Sequence, residues 1–503
     1  MLTSRRTFLE ATTVVAGMSL FPILTPLQAQ AAPTSAPADG TILVVAPEDW
    51  ADLAERVTEG LRATGHTATV AIPDEEGFVN GWQGERVVLG HLGNNDHIAR
   101  LYGLYVTMAD SIAPGTDGWS VMSIDAPFGG TSSTIIVGAS TRTGAEAGIA
   151  TLLDHLTEGP LPKIHQAVLS PDSQVRLPNE GVIDAAYGQE AIADIETRIG
   201  NLKPSMGNEL DARALHTLMS GIAVNSKYFT VFPSDVFAKV YRKAMLGYSA
   251  FLLDNPEAGA DQLANSRNMW TSGLGLIGGW RVMESTDLFT EDERARIMQA
   301  LILTFQVNAK DGYLVKAPDR GPRWNHEIFP ALSLAAAGLY FEARGELEEA
   351  KGWSAMAARI FDGNTSPVSL DEGSDYLMHL PMATIDYGML TGRRTFLATT
   401  VRPSADLNAL MIDNLGAMCG GGDTYPLWLQ RPVQLGPLAG HVRGQLVLPR
   451  PHLSSLVADD AGQPVGTEQA GLGRSLAPLH RDCRRRTGIR PNGVPEGIRA
   501  AHG

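Results

Sequence analysis

The chain of 503 residues has only two cysteines, Cys419 and Cys483, too few for a disulfide framework or a Cys-based metal cluster. Charge is sparse as well. Asp, Glu, Lys and Arg together make up 19% of the residues, and the acidic excess leaves a formal net charge of −15. That balance excludes nucleic acid as a partner, because phosphate backbones are held by basic faces. A polyanionic ligand would need a local basic cleft, which screening over ~10 Å permits. There is no P-loop, no Gly-rich dinucleotide fingerprint and no Ser nucleophile elbow, so the common nucleotide and α/β-hydrolase chemistries have no local signature. Beyond the N-terminus no apolar run approaches the roughly 20 residues of a membrane span.

What is present begins at the N-terminus. Ser4-Arg5-Arg6-Thr7-Phe8-Leu9 is followed by a moderately apolar stretch from Ala11 to about Leu24 and by the small-x-small triplet Ala29-Gln30-Ala31. This order is that of a twin-arginine signal peptide over residues 1–31. It predicts export by the twin-arginine machinery, a periplasmic or extracellular location, and no stable membrane span after processing.

A Pro/Ala/Ser linker over 32–40 precedes an alternating region. Apolar runs at 41–45, 67–72, 86–90, 119–124 and 134–137 read as strands, and 49–64 and 143–156 as amphipathic helices. The alternation predicts a small α/β domain over 41–165. Asn94-Asn95-Asp96-His97 within it reads as a polar turn. From about Gln189 the signal turns helical, with segments at 209–224, 234–252, 260–284, 290–308, 327–343, 346–361, 380–390 and 404–418. Thr290-Glu291-Asp292-Glu293 has the form of a capping box. Helices joined by short loops over 189–426 suit a bundle, a solenoid or an α/α toroid.

The last stretch differs in kind. From Leu427 onward there are ten arginines and no lysine, and apolar residues keep no period. Residues 427–503 read either as a disordered tail or, preferred here, as the product of a frameshift near Pro426. Back-translation of Pro426 to Arg431 one base later permits Pro-(Phe/Tyr)-Gly-(Phe/Tyr)-(Ser/Asn)-(Asp/Gly), which continues the helical region with better sense.

Three segments concentrate polar groups where loops enter helices. The first runs Asp319-Arg320-Gly321-Pro322-Arg323-Trp324-Asn325-His326-Glu327 into an Ala/Leu-rich helix. The second is Asp371-Glu372-Gly373-Ser374-Asp375-Tyr376-Leu377-Met378-His379, and the third spans Asn265 to Leu274 with Trp270. Polar residues gathered at helix starts on an apolar scaffold are candidates for a site. They also have plainer roles: Asn325 as a helix cap, His326 as a satisfied structural histidine, Tyr376 as a core aromatic, and Arg320 and Arg323 as solvated loop charges.

Asn325-His326 opening an apolar helix, with an acidic Gly-Ser-x-Tyr loop ~50 residues later, resembles the α/α-toroid polysaccharide lyases of the heparinase II/III-like and alginate-lyase-like group. The resemblance spans about 190–426. It implies an α/β domain followed by a mainly α toroid, incomplete at its C-terminal end, and β-elimination in a uronic-acid polysaccharide. By it Asn325 neutralises the sugar carboxylate, His326 or His379 is base or orienter, and Tyr376 is base or acid. Arg320 and Arg323 bind acidic sugars, Trp270 and Trp324 stack on sugar rings, and Glu327 lies in the substrate site. The implied partner is an acidic polysaccharide, with no metal and no cofactor. An inverting glycoside hydrolase on the same scaffold is the main rival. It needs two carboxylates roughly 6.5–9.5 Å apart, which Glu327 with Asp371, Glu372 or Asp375 would supply. A non-catalytic carbohydrate-binding protein is the third reading.

Overall fold

The structure, a computed structural model, describes residues 40–71, 84–128, 132–173, 175, 177–265, 273–316, 325–345, 347–363 and 379–392. A mixed sheet near the N-terminus is followed by a mainly helical body. The strands are β1 (Thr41–Val45), β2 (Thr67–Ala71), β3 (Arg86–Gly90), β4 (Trp119–Asp125), β5 (Ser133–Gly138) and β6 (His165–Val168). They lie in the order β2-β1-β3-β5-β4-β6. β2, β1, β3 and β5 are mutually parallel, while β4 runs antiparallel to both β5 and β6.

All five residues of β1 are buried, as are all five of β3. Continuous apolar runs of this kind belong to strands covered on both faces. On the outer face, Ile42, Val44, Val87, Leu89, Ile135 and Val137 pack with α1 (Ala51–Ala63) and α3 (Arg142–His155). On the inner face, Leu43, Val45, Val88, Met122, Ile124 and Ile136 join a single apolar cluster that continues into the helical body. α2 (Asp96–Gly103) sits on that inner side. The segment read from sequence as a polar turn is therefore the start of a helix. Asn95 caps α2 by accepting from the His97 N–H at 2.9 Å, and its Nδ2 donates to the Leu89 carbonyl at 2.7 Å. A short polar entry before eight helical residues hides the helix from a periodicity test.

The helical body comprises α4 (Ala185–Gly200), α5 (Glu209–Val231), α6 (Asp235–Asp254), α7 (Pro256–Asn265), α8 (Gly273–Met283), α9 (Glu291–Ala309), the short α10 (Gly312–Lys316), α11 (Asn325–Arg344), α12 (Ala350–Asp362) and α13 (His379–Thr391). Their starts are chemically marked. Asp184, Asn208 and Ser234 each accept a backbone N–H of the first turn. Thr290 and Glu293 form the reciprocal capping box at α9. Of the sequence segment 260–284, residues 260–265 fall in α7 and 273–283 in α8, while 404–418 lies outside the described residues. α4 has no counterpart among the helices read from sequence; its apolar face sets Tyr187, Ala191, Ile192, Ile195 and Ile199 against the core.

Two glycines set how closely the body approaches the sheet side. A Cβ on Gly278 of α8 would fall 2.6 Å from the Leu104 carbonyl oxygen, and one on Gly103 would fall 2.8 Å from the Leu390 nitrogen. Only hydrogen at these positions lets α8 and α13 reach the end of α2. Among the described residues no helix is long and apolar enough to cross a membrane.

Candidate functional site

α11 organises the sequence-predicted site. Its first residue is Asn325, followed by His326 and Glu327. Pro330 lies within the helix and has no N–H to offer the His326 carbonyl four residues back, so the first turn is less firmly tied than the rest. From Ile328 to Phe341 the helix is largely buried, which fixes its axis in the core.

His326 is half-buried, and its ring stacks on Tyr313 of α10, with centroids 5.8 Å apart and planes at 26°. Tyr313 is itself 50% exposed. The sequence reading passed over this tyrosine, which stands 13 residues before His326 in Asp311-Gly312-Tyr313. Its placement depends on the α9–α10 turn, where Asp311 accepts from the Tyr313 N–H at 2.8 Å. Glu327 is fully buried, with no exposed surface. A carboxylate in the first turn is favoured there by the positive end of the helix dipole.

α13 begins at His379 and packs on α11. α12 runs back along α11, with Trp353 against Phe341, and Phe361 at its far end stacks on Tyr387 of α13 at 4.1 Å. Arg100 Nε donates to the Leu390 carbonyl of α13 at 3.2 Å and lines one pocket with Leu339 and Glu342 of α11. Trp270, Arg320, Arg323, Trp324 and Tyr376 lie outside the described residues, as do the side chains of Asn325 and His379.

A second polar concentration occupies the opposite end of α11. Trp280 Nε1 donates to Tyr340 Oη at 2.8 Å, Tyr340 donates to Glu284 Oε2 at 2.7 Å, and Arg344 donates to Glu284 Oε1 at 2.7 Å. Burial pushes the Glu284 carboxyl up to about 7, opposed by the charge of Arg344 and the Tyr340 hydrogen bond. Burial also raises the Tyr340 phenol well above its ordinary value. Next to this network, Arg281 is 3% exposed and its guanidinium lies 5.0 Å from the Tyr340 ring. Across the boundary with the sheet, Arg86 and Arg100 bracket the Phe128 ring at 4.9 and 5.3 Å. His97 meets the same ring edge-on, and burial, with Arg86 and Arg100 nearby, holds its pKa down at about 3. His97 is therefore neutral across the physiological range. None of these residues was singled out as functional from sequence.

No protein-family model, curated protein or solved structure matches this chain. Among the described residues, no group of three or more His, Cys, Asp and Glu side chains could hold a metal ion.

Proposed function

We propose that the protein is an exported polysaccharide lyase acting on a uronic-acid polymer, with a helical body of α/α-toroid type. The observation that carries the reading is the Asn325-His326 start of α11 with the exposed Tyr313 ring stacked on His326; a second loop-to-helix entry, at His379, opens the packed neighbour α13. Tyr376 precedes His379 by three residues.

The chemistry follows from the substrate. Elimination breaks the C5–H and C4–O bonds of the uronate, forms a C4=C5 double bond, and delivers a proton to the departing oxygen. The C5 proton is hard to remove while the adjacent carboxylate is ionised. A hydrogen bond from the Asn325 amide to that carboxylate stabilises the charge that builds up on it, by a few kcal/mol. Tyr376 or His326 takes the C5 proton, and a tyrosine hydroxyl returns one to the leaving oxygen. Each proton transfer contributes ~10²–10⁴-fold. His379 orients the base, Arg320 and Arg323 attract the acidic chain, and Trp270, Trp324 and Tyr313 offer ring faces to sugars. Export uses the twin-arginine leader.

The test is ultraviolet absorbance during incubation with a panel of uronate polysaccharides, using this chain and one with the frame restored after codon 426. A conjugated double bond raises the absorbance, and hydrolysis does not. Rising signal that is lost in Tyr376→Phe and Asn325→Ala supports the proposal. New reducing ends without that signal from a folded chain would sink it. Arg5→Lys combined with Arg6→Lys should retain the precursor in the cytoplasm if the leader works as proposed.

A further inference from the structure

The cavity beside Phe128 has features that the lyase reading does not use. It is a half-open pocket of about 270 Å³ lined by Arg100, Leu104, Pro127, Phe128, Arg281 and, from α11, Leu339, Glu342 and Ala343. Glu342 stands 17 residues along α11 from Asn325, about 25 Å away at 1.5 Å per residue. The two sites are therefore separate.

Two polar groups at this cavity are incompletely used. Arg281 is 3% exposed, yet its contacts are long: Nη1 donates to the Pro127 carbonyl at 3.4 Å and Nη2 to the Ala336 carbonyl at 3.2 Å. Its Nε is buried with no partner. On the other side, Oε1 of Glu342 is also buried without a partner. Leaving a buried charged donor or acceptor unsatisfied is destabilising. The neighbouring Glu284 carboxylate is engaged by Arg344 and Tyr340. Burial lowers the Arg281 pKa to about 10, and Arg344 and Arg100 push it in the same direction. A bound anion would offset that cost.

We propose that this cavity binds a small carboxylate that also carries hydrogen-bond donors: a monomeric sugar acid or a free amino acid. Planar guanidinium groups suit a carboxylate, which they can meet with two parallel hydrogen bonds. Glu342 selects at the other end. It accepts from a hydroxyl or an ammonium and repels any second negative charge, as in phosphate or a dicarboxylate. The volume lies just below the ~300–1,000 Å³ of drug-sized pockets, so it suits a single unit rather than a polymer.

Calorimetric titration of the full chain tests this with four probes: glucuronate, glycine, glucose and inorganic phosphate. Glucuronate or glycine should bind at least ~10-fold more tightly than glucose and phosphate, because only they pair a single carboxylate with donors. Preference for glucuronate assigns hydroxyls to Glu342, and preference for glycine assigns an ammonium; both support the site. Glu342→Gln should tighten phosphate ~10-fold by removing the like charge, and Arg281→Met should abolish carboxylate binding. Should Arg281→Met fail to fold, Ala343→Phe fills the cavity from a half-buried position and should abolish binding in a folded protein. The proposal is overturned if neither carboxylate binds at millimolar concentration, if glucose binds as well, if folded Ala343→Phe binds normally, or if Glu342→Gln leaves phosphate unchanged.

Discussion

The two ends of α11 are built by opposite routes. At the N-terminal end, Asn325, His326 and Glu327 are neighbours in sequence and reach the helix start together. At the C-terminal end, Arg86, Arg100, Phe128, Arg281, Glu284 and Tyr340 come from strands and helices far apart in the chain and meet only through folding. The first end is assembled by local chain geometry, the second by packing. They also differ in burial. His326 and Tyr313 keep exposed surface, whereas Glu284 and Arg281 are 6% and 3% exposed. Groups at the open end are available to a polymer, and those at the closed end must satisfy one another or a small guest.

The largest effect should come from the open end. His326→Ala should lower elimination by ~10²–10⁴-fold with little change in melting temperature, measured by absorbance and by calorimetry on the same sample. A large melting shift with unchanged turnover would reverse the roles assigned to the two ends. At the closed end, Tyr340→Phe removes the acceptor for Trp280 and the donor for Glu284, both buried. A loss of about 3 kcal/mol in urea unfolding is expected, and a loss below ~0.5 kcal/mol would show that the network is idle.

A smaller, pH-dependent effect separates packing from local geometry. His165 of β6 lies 5.8 Å from the Phe229 ring of α5, and burial holds its pKa down at about 4. Above the ordinary histidine value near 6.5 both states are neutral and its contribution is intact. As pH falls from about 6.5 toward 4, the unfolded chain takes up a proton that the folded chain refuses, so stability declines. At most ~3 kcal/mol is at stake, at 1.36 kcal/mol per pKa unit. His165→Gln should lose this slope, and an unchanged acid-unfolding curve would refute it. The smallest effect is local: Thr290→Ala opens the α9 capping box at a cost of ~1 kcal/mol.

The same division explains what could be read from the sequence. The five-residue buried runs of β1 and β3, and the α9 cap, are contiguous signals and stand where periodicity and capping chemistry place them. α2 is hidden because its polar entry resembles a turn. In the candidate site, the helix starts at Asn325 and His379 are legible as loop-to-helix entries. Tyr313 is not, since its contact with His326 depends on the turn between α9 and α11. The burial of Glu327 is likewise a tertiary property, because an Asn-His-Glu triplet reads the same whether its third residue faces solvent or core. Arg100 and Arg281, far apart in the chain, carry no local signal that they will line one cavity.

The shared core on the inner face of the sheet also has a consequence during synthesis. β6 ends at Val168, and α8, which packs on β4, begins about 100 residues later. At ~5–20 residues per second, the β4 part of that face, with Met122 and Ile124, waits on the order of 10 s for α8, while α2 already lies against β3. A fragment ending after β6 would keep that part of the face uncovered.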